Sequence, residues 1–355
     1  MNVDNVAAAS LRICIPIEHR QLGGMYTFLE NWRKWLDQNN IHHTADPTAE
    51  YNVLFVNSFM VPYGLIAAAK RARPELLIVQ RVDGAARDYG RLDDADDRQA
   101  RVNMLADLTI YQSKYSKYST TQKIKVIQQD GPIIYNPVDI EAFYADSARS
   151  FHADRPKICN ASHSENLRKG TWLIGEIARA NPDLDFVLCG NYPPLPDLPN
   201  ISLRGRLDRA DLARTMRSCD VFLHLAENDP CPNVVLEALA SGLPVLYRDS
   251  GGTPELVGES GRPVTLDSFR SELEKIFRDH KDLSEAARER AVRCFAPDRI
   301  FPSYLDAITR AERRLAPSGG DYLRAAMNGY PVLAYRPRSL YWRIKRSIRG
   351  LRALS

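Results

Sequence analysis

Short β-prone runs alternate with longer amphipathic ones along most of the chain, and this alternation restricts the fold more than any other feature. Residues 11–17 (LRICIPI), 51–58 (YNVLFVNS) and 75–80 (ELLIVQ) are strand-like. Between them, MYTFLENWRKWLDQ places Met25, Phe28, Leu29, Trp32 and Leu36 on one helical face, and GLIAAAKRA follows as a second helix. LTIYQS, KVIQQ and IIYNPVD add further short runs. Residues 145–157 (ADSARSFHADRPK) are polar and lack periodicity; the alternation then restarts with KICNAS, TWLIGEIARA, DFVLCG, ISLRG, DLARTMRS, DVFLHLA, NVVLEALAS and LPVLYRD. Strands separated by helices indicate parallel βαβ units. The predicted fold is therefore α/β, two doubly wound Rossmann-like domains facing a cleft. We place the first at 1–150 and the second at 151–300. Helices from about 300–330 are expected to complete the first domain, and 331–355 forms a basic aromatic tail.

A length of 355 residues fits two cores better than one. No apolar run approaches the roughly 20 residues that span a bilayer. The first ten residues lack a basic segment and an apolar h-region, so no signal peptide is expected. Cys14, Cys159, Cys189, Cys219, Cys231 and Cys294 show no Cys-x-x-Cys spacing; buried, reduced thiols and a cytoplasmic setting are expected. The net charge of +4 is unevenly spread, because residues 336–355 hold six arginines and Lys345 with no acid, which leaves the remainder at −3.

Three glycine-containing turns and two carboxylates are candidates for chemistry. Gly23 and Gly24 lie between the first strand and first helix, where backbone can approach an anion; a plain turn is the alternative. SHSENLRKG again joins strand to helix. Lys169 at a helix start is unfavourable for the macrodipole unless an anion neutralises it, or the lysine is simply exposed. In DPCPNVVLE, Asp229 falls at a strand's carboxyl end and Asn233 is expected to cap the next helix. Glu237 then sits among apolar neighbours, where a desolvated carboxylate needs donors such as a ribose diol, unless it faces outward. SGGTPE reads as a helix start with Thr253 as cap and Pro254 in first position.

Taken together, DPCPNVVLEALASGLPVLYRDSGGTPELV, SHSENLRKGTWLI, FVLCGN and IIYNPVDIEAF resemble glycosyltransferase family 4, retaining enzymes of the GT-B fold. The resemblance is strongest from Lys157 to about Pro263. It implies that Glu237 binds the ribose of a nucleotide-sugar, that Asp229 contacts the transferred sugar, and that Lys169 neutralises the diphosphate. Gly23 and Gly24 would approach that diphosphate, and Asn233 and Val234 would offer backbone N–H groups. Three departures stand out: Asp229 replaces a glutamate, Ser164 replaces an arginine that neighbouring Arg168 would have to stand in for, and no histidine follows ELLIVQ. Asp83 is the candidate there for acceptor contact.

The implied reaction is metal-independent hexosyl or deoxyhexosyl transfer, with retention, from a nucleotide-diphosphate sugar to a glycan or lipid-linked glycan. A catalytically silent sugar-binding protein and a GT-B epimerase or phosphorylase are the alternatives. Asp94 and Asp96 form a D-x-D pair with no strand before it, so a solvated acidic face is expected and no metal or other cofactor. In the tail, Leu340, Ile344, Ile348 and Leu351 recur at helical spacing among cations. That suits an interfacial helix on an anionic membrane surface, peripheral on the inner face, or equally a terminal helix docked on the body. Nucleic acid is not an expected partner.

Overall fold

The computed structural model describes residues 11–17, 24–91, 93–124, 130–145, 151–152 and 154–315. Gly23 and the basic tail lie outside them. The first half contains β1 (Arg12–Cys14), α1 (Gly24–Gln38), β2 (His42–Thr44), β3 (Val53–Asn57), α2 (Tyr63–Ala72), β4 (Leu77–Val82), α3 (Ala95–Asn103), β5 (Leu108–Tyr111) and α4 (Lys114–Lys123). The second half continues with β6 (Lys157–Ser162), α5 (Leu173–Ala180), β7 (Asp185–Gly190), β8 (Ile201–Gly205), α6 (Arg209–Arg217), β9 (Val221–His224) and α7 (Asn233–Ala240). It ends with β10 (Val245–Tyr247), α8 (Thr253–Val257), β11 (Gly261–Pro263), α9 (Phe269–Arg278), α10 (His280–Phe295) and α11 (Pro297–Leu315).

Two parallel sheets result, a five-stranded one ordered β2-β1-β3-β4-β5 and a six-stranded one ordered β11-β10-β9-β6-β7-β8. β3 and β4 are buried along their whole length, as a sheet covered on both faces requires. In the second sheet the strand order reverses between β6 and β9, where Ile158 faces Val221 and Cys159 faces Phe222. At such a reversal the loops leaving the strands' carboxyl ends diverge to opposite faces and open a crevice. The residues following β6 and β9 are those of SHSENLRKG and ENDPCPN.

The last helix returns to the first sheet. Ile300, Phe301, Tyr304, Leu305 and Ile308 of α11 join the core of Phe28, Trp32 and Phe55. Trp32 and Phe301 lie 4.8 Å apart between ring centroids, and Trp35 Nε1 donates to Asp298 at 2.7 Å. Pro302 lies inside α11 without interrupting it.

Several expectations need correction. Asp96 is not on a solvated face but buried, because its position in the first turn of α3 aims it at the 3₁₀ turn Ala86–Tyr89. There it accepts from the Ala86 N–H and from Arg87 Nε, both at 2.6 Å. Asn233 is not the cap of α7; Pro232 takes that position with extended backbone, which leaves the Asn233 amide free for other partners. Thr253 does not cap α8 either. Gly252 precedes it, and the Thr253 hydroxyl is buried without a partner among the described residues. Of the cysteines, five are buried and Cys294 is half-buried.

The halves are clasped at Glu255 of α8. Its carboxylate accepts from the Lys114 and Tyr115 N–H groups, each at 3.0 Å, and from the Tyr135 hydroxyl at 2.9 Å. A carboxylate at the amino end of α4 satisfies N–H groups that have no partner within that helix. Replacing Glu255 by alanine should therefore lower stability by about 1–2 kcal/mol. The midpoint of urea unfolding measures this, and an unchanged midpoint would mean that the clasp contributes nothing.

Candidate functional site

Lys169 and Asp229 meet where the two divergent loops face each other. Lys169 Nζ stands 2.8 Å from Asp229 Oδ2, and both side chains are largely buried. Lys169 does not begin a helix as expected; it closes a 3₁₀ turn, Leu167–Lys169, capped by the Asn166 side chain. Gly170 follows at φ 66°, and a Cβ there would lie 2.2 Å from the Leu225 carbonyl oxygen. This close approach of the loop to the end of β9 brings the lysine within reach of the aspartate.

Burial works against ionisation of Asp229, yet the charge of Lys169, then that of His224, and hydrogen bonds from Lys169 and Tyr89 hold its carboxyl below the usual range. Tyr89 belongs to the first half of the chain and donates its hydroxyl to Asp229 Oδ1 at 3.3 Å. Burial, with the Asp229 charge beside it, pushes the Tyr89 phenol well above its ordinary value, so it remains a donor. His224 lies at the end of β9, where burial holds its imidazole down at about 4. Its Nε2 has no partner among the described residues. Neither Tyr89 nor His224 was anticipated. DVFLHLA offered one signal, a polar ring at a strand's carboxyl end, but RDYG offered none.

The paired glycines of SGGTPE shape the same loop. Gly251 adopts φ 68° and a Cβ on it would lie 2.4 Å from the Asp229 carbonyl oxygen, while Gly252 N–H donates to that oxygen at 2.8 Å. They seat the Asp229 backbone, a structural role in addition to any ligand contact.

Glu237 occupies α7 two turns further on. Its carboxylate is half-buried and has no hydrogen-bond partner among the described residues. Burial pushes it up to about 7, and only the guanidinium of Arg209 opposes this. An unpaired, desolvated carboxylate is costly and marks a place where a ligand can supply donors.

The remaining candidates are placed as follows. Asn233 Nδ2 donates to the Gly24 carbonyl at 3.1 Å, and its Oδ1 accepts from Asn136 at 2.8 Å, so Gly24 and Asn233 join across the cleft. Val234 is half-buried beside them in the first turn of α7. Arg168 turns away from Lys169 and ion-pairs with Glu227. The Ser164 hydroxyl accepts from Asn166 N–H at 3.1 Å and stays within its own loop. Asp83 is one-third exposed, held by Arg81 Nη1 at 2.9 Å and Gln112 Nε2 at 3.1 Å. Among the described residues, no cluster of three metal-ligating side chains occurs.

Comparison with known proteins adds the family context. Residues 156–279 match the family described as Glycosyl transferases group 1. The GDP-mannose-dependent alpha-mannosyltransferase of Mycolicibacterium smegmatis is 34% identical in an alignment 139 residues long that covers 32% of this chain and 37% of that protein. The sulfoquinovosyl transferase SQD2 of Arabidopsis thaliana is 26% identical in an alignment 140 residues long that covers 35% of this chain and 28% of that protein. The chain thus spans only about a third of the length of these relatives. Among solved structures, Anabaena HepE in complex with UDP superposes with TM-score 0.67 at 15% identity, covering 84% of this chain and all of that one. Sucrose-phosphate synthase from Thermosynechococcus elongatus gives 0.59 at 17% identity, covering 84% and 81%. At these identities the structural likeness shows the GT-B fold, and within it residues 156–279 match the family described as Glycosyl transferases group 1.

Proposed function

We propose that the protein is a retaining glycosyltransferase that moves a hexosyl or deoxyhexosyl group from a nucleotide-diphosphate sugar to a hydroxyl of a glycan or lipid-linked glycan. One observation carries this reading. The unpaired Glu237 carboxylate sits on the helix that follows the Lys169–Asp229 pair, at the strand-order reversal where α/β sheets bind nucleotides. Glu237 accepts from the ribose hydroxyls, and Asp229 accepts from hydroxyls of the sugar. Lys169 supplies positive charge to the diphosphate, helped by the N–H groups of Asn233 and Val234 at the start of α7. As the bond to the sugar breaks, negative charge grows on the β-phosphate, and Lys169 stabilises it most at that moment. The leaving phosphate takes the proton of the incoming hydroxyl on the same face, which preserves the anomeric configuration and needs neither a protein base nor a metal ion. Asp83 faces the acceptor. The named donor of one relative is GDP-mannose and HepE was crystallised with UDP, so both bases are candidates here.

The basic tail at 336–355 lies outside the described residues. Its composition supports placement of the enzyme on the inner, anionic membrane surface.

Glu237→Gln tests the donor site. Removing the charged acceptor should weaken nucleotide-sugar binding about 10- to 100-fold by calorimetry. Because the Glu237 carboxyl stands at about 7 before the ligand binds, donor affinity should rise with pH through that value in the native protein and be flat in the variant. Stability runs the other way. A carboxyl raised above its unfolded value of 4.5 stabilises least above about 7, so at pH 8 the ligand-free variant should be the more stable by about 1–3 kcal/mol. Binding that is unchanged by the mutation would remove Glu237 from the donor site. Nucleotide-sugar binding without product from any acceptor would favour a silent sugar-binding protein.

A further inference from the structure

A groove separate from the Lys169–Asp229 cleft runs across the carboxyl ends of β9, β10 and β11, between α5 and α9. Its larger part is about 680 Å³ and is floored by Leu225 and Val264. A second part of about 380 Å³ shares Ile177 and Leu266 with it and extends to Arg270, so the two form one elongated depression. These volumes are in the range of sites for small organic ligands. Two large apolar side chains stand on its walls, Trp172 and Leu266, each 49% exposed.

Each arginine on the rim is fixed by a carboxylate. Arg248 Nη1 lies 2.7 Å from Glu227 Oε1 at one end, where Arg168 also reaches Glu227, and Arg270 Nη1 lies 2.7 Å from Asp183 Oδ2 at the other. Asp249 also lines the first end. Two arginines thus stand against four carboxylates in the lining, Glu176, Asp183, Glu227 and Asp249, a negative balance that disfavours a phosphate or an anionic lipid headgroup. An exposed indole and an isobutyl group bordered by fixed guanidinium and carboxylate groups match a different chemistry. A pyranose presents an apolar C–H face to stack on the indole and equatorial hydroxyls to donate to and accept from the rim.

We propose that this groove binds an uncharged, linear oligosaccharide, the part of the acceptor glycan remote from the reacting hydroxyl. The proposal rests on the glycosyltransferase reading for the identity of that chain. The Arg168–Glu227 pair is the partition between the two sites: Lys169, next in sequence, faces the diphosphate, and Glu227 precedes Asp229 by two positions. A glycan held in the groove is therefore anchored beside the donor. The elongated shape selects a chain over a monosaccharide.

Saturation-transfer NMR on the full chain, with mannotriose, maltotriose and chitotriose as probes, tests this. At least one trisaccharide should show ring-proton saturation that drops tenfold or more in Trp172→Ala and in Leu266→Asp and persists in Glu237→Gln. Thermal stabilisation by UDP- or GDP-sugars, measured in parallel, should be the same in Trp172→Ala as in the native protein, which keeps loss of fold apart from loss of the groove. Saturation lost only in Glu237→Gln would place the sugar in the donor cleft and overturn the proposal, as would the absence of saturation for all three probes. Saturation of the alkyl protons of octyl glucoside, dependent on Trp172 and without any trisaccharide signal, would make the groove a lipid site. Absence of nucleotide stabilisation in the native protein alongside a Trp172-dependent trisaccharide signal would sink the donor reading and leave the groove standing.

Discussion

Lys169→Met should lower the rate of sugar transfer by about 10²- to 10³-fold, the loss typical when one group that stabilises developing negative charge is removed. The ground state contains a compensation that makes the effect fall on turnover. Lys169 is already paired with Asp229 at 2.8 Å, so binding of the diphosphate exchanges one anion for a share in another. The net gain is greatest when the leaving group bears its full charge. Donor KM should consequently move by much less than kcat. The variant also leaves Asp229 buried with Tyr89 as its remaining hydrogen-bond donor, and its carboxyl should rise from below the usual range toward protonation. Lys169→Arg keeps the charge with a different reach and should recover part of the rate. A methionine variant within threefold of the native turnover would show that the diphosphate is stabilised elsewhere.

Arg81→Met should cost about 3–5 kcal/mol of stability, or prevent accumulation of folded protein. Arg81 is fully buried, and each of the five N–H donors of a guanidinium finds an acceptor. Nε donates to the Tyr304 hydroxyl at 3.2 Å; Nη1 donates to Asn57 at 2.7 Å and Asp83 at 2.9 Å; Nη2 donates to Gln112 at 2.9 Å and to Asn136. The ring of Phe28 lies 4.1 Å from the guanidinium carbon. Methionine would fill part of the volume and strand these acceptors without donors, the costlier half of breaking a buried pair. Arg81→Lys retains the charge but offers three donors, and should fall between. Chemical unfolding gives the measurement; a loss under about 1 kcal/mol for the methionine variant would mean that the network is replaceable by water. Because Asn136 continues to Asn233 and so to Gly24, the same variant should also weaken donor binding.

The strands and helices legible in the sequence were those with an apolar face. β3, β4, β6, β7 and β9 read as buried runs because parallel sheets bury both sides. α4 was missed, since KYSKYSTTQK buries only Ser116, Ser119 and Thr120 and has no apolar stripe to reveal it. β2 is three residues of His and Thr at a sheet edge, too short and polar to stand out. α3 was hidden by its acidic first turn, whose Asp96 is spent on holding a neighbouring loop. In the candidate site, Asp229 and Glu237 stood out because a strand end, a helix start and a fixed separation constrain one another within a continuous segment, and Lys169 stood out as a cation in a strand-to-helix turn. Tyr89 and Asn136 act on that segment through space, and no local pattern records which residues of the first half will face the second.

The return of α11 to the first sheet has a consequence for biosynthesis. The strands of the second sheet come from a continuous stretch, Lys157 to Pro263, and the helices that complete its cores, with Phe269, Leu273, Ile276, Ala287, Ala291 and Phe295, follow directly. The first sheet is translated earlier but lacks Ile300, Phe301, Tyr304 and Ile308 until the strands and helices of the second half have been made. Its aromatic surface, Phe28, Trp32 and Phe55 included, lacks that cover while the second half is made. The half made first is thus completed last, and chaperone demand should fall on the nascent amino-terminal half.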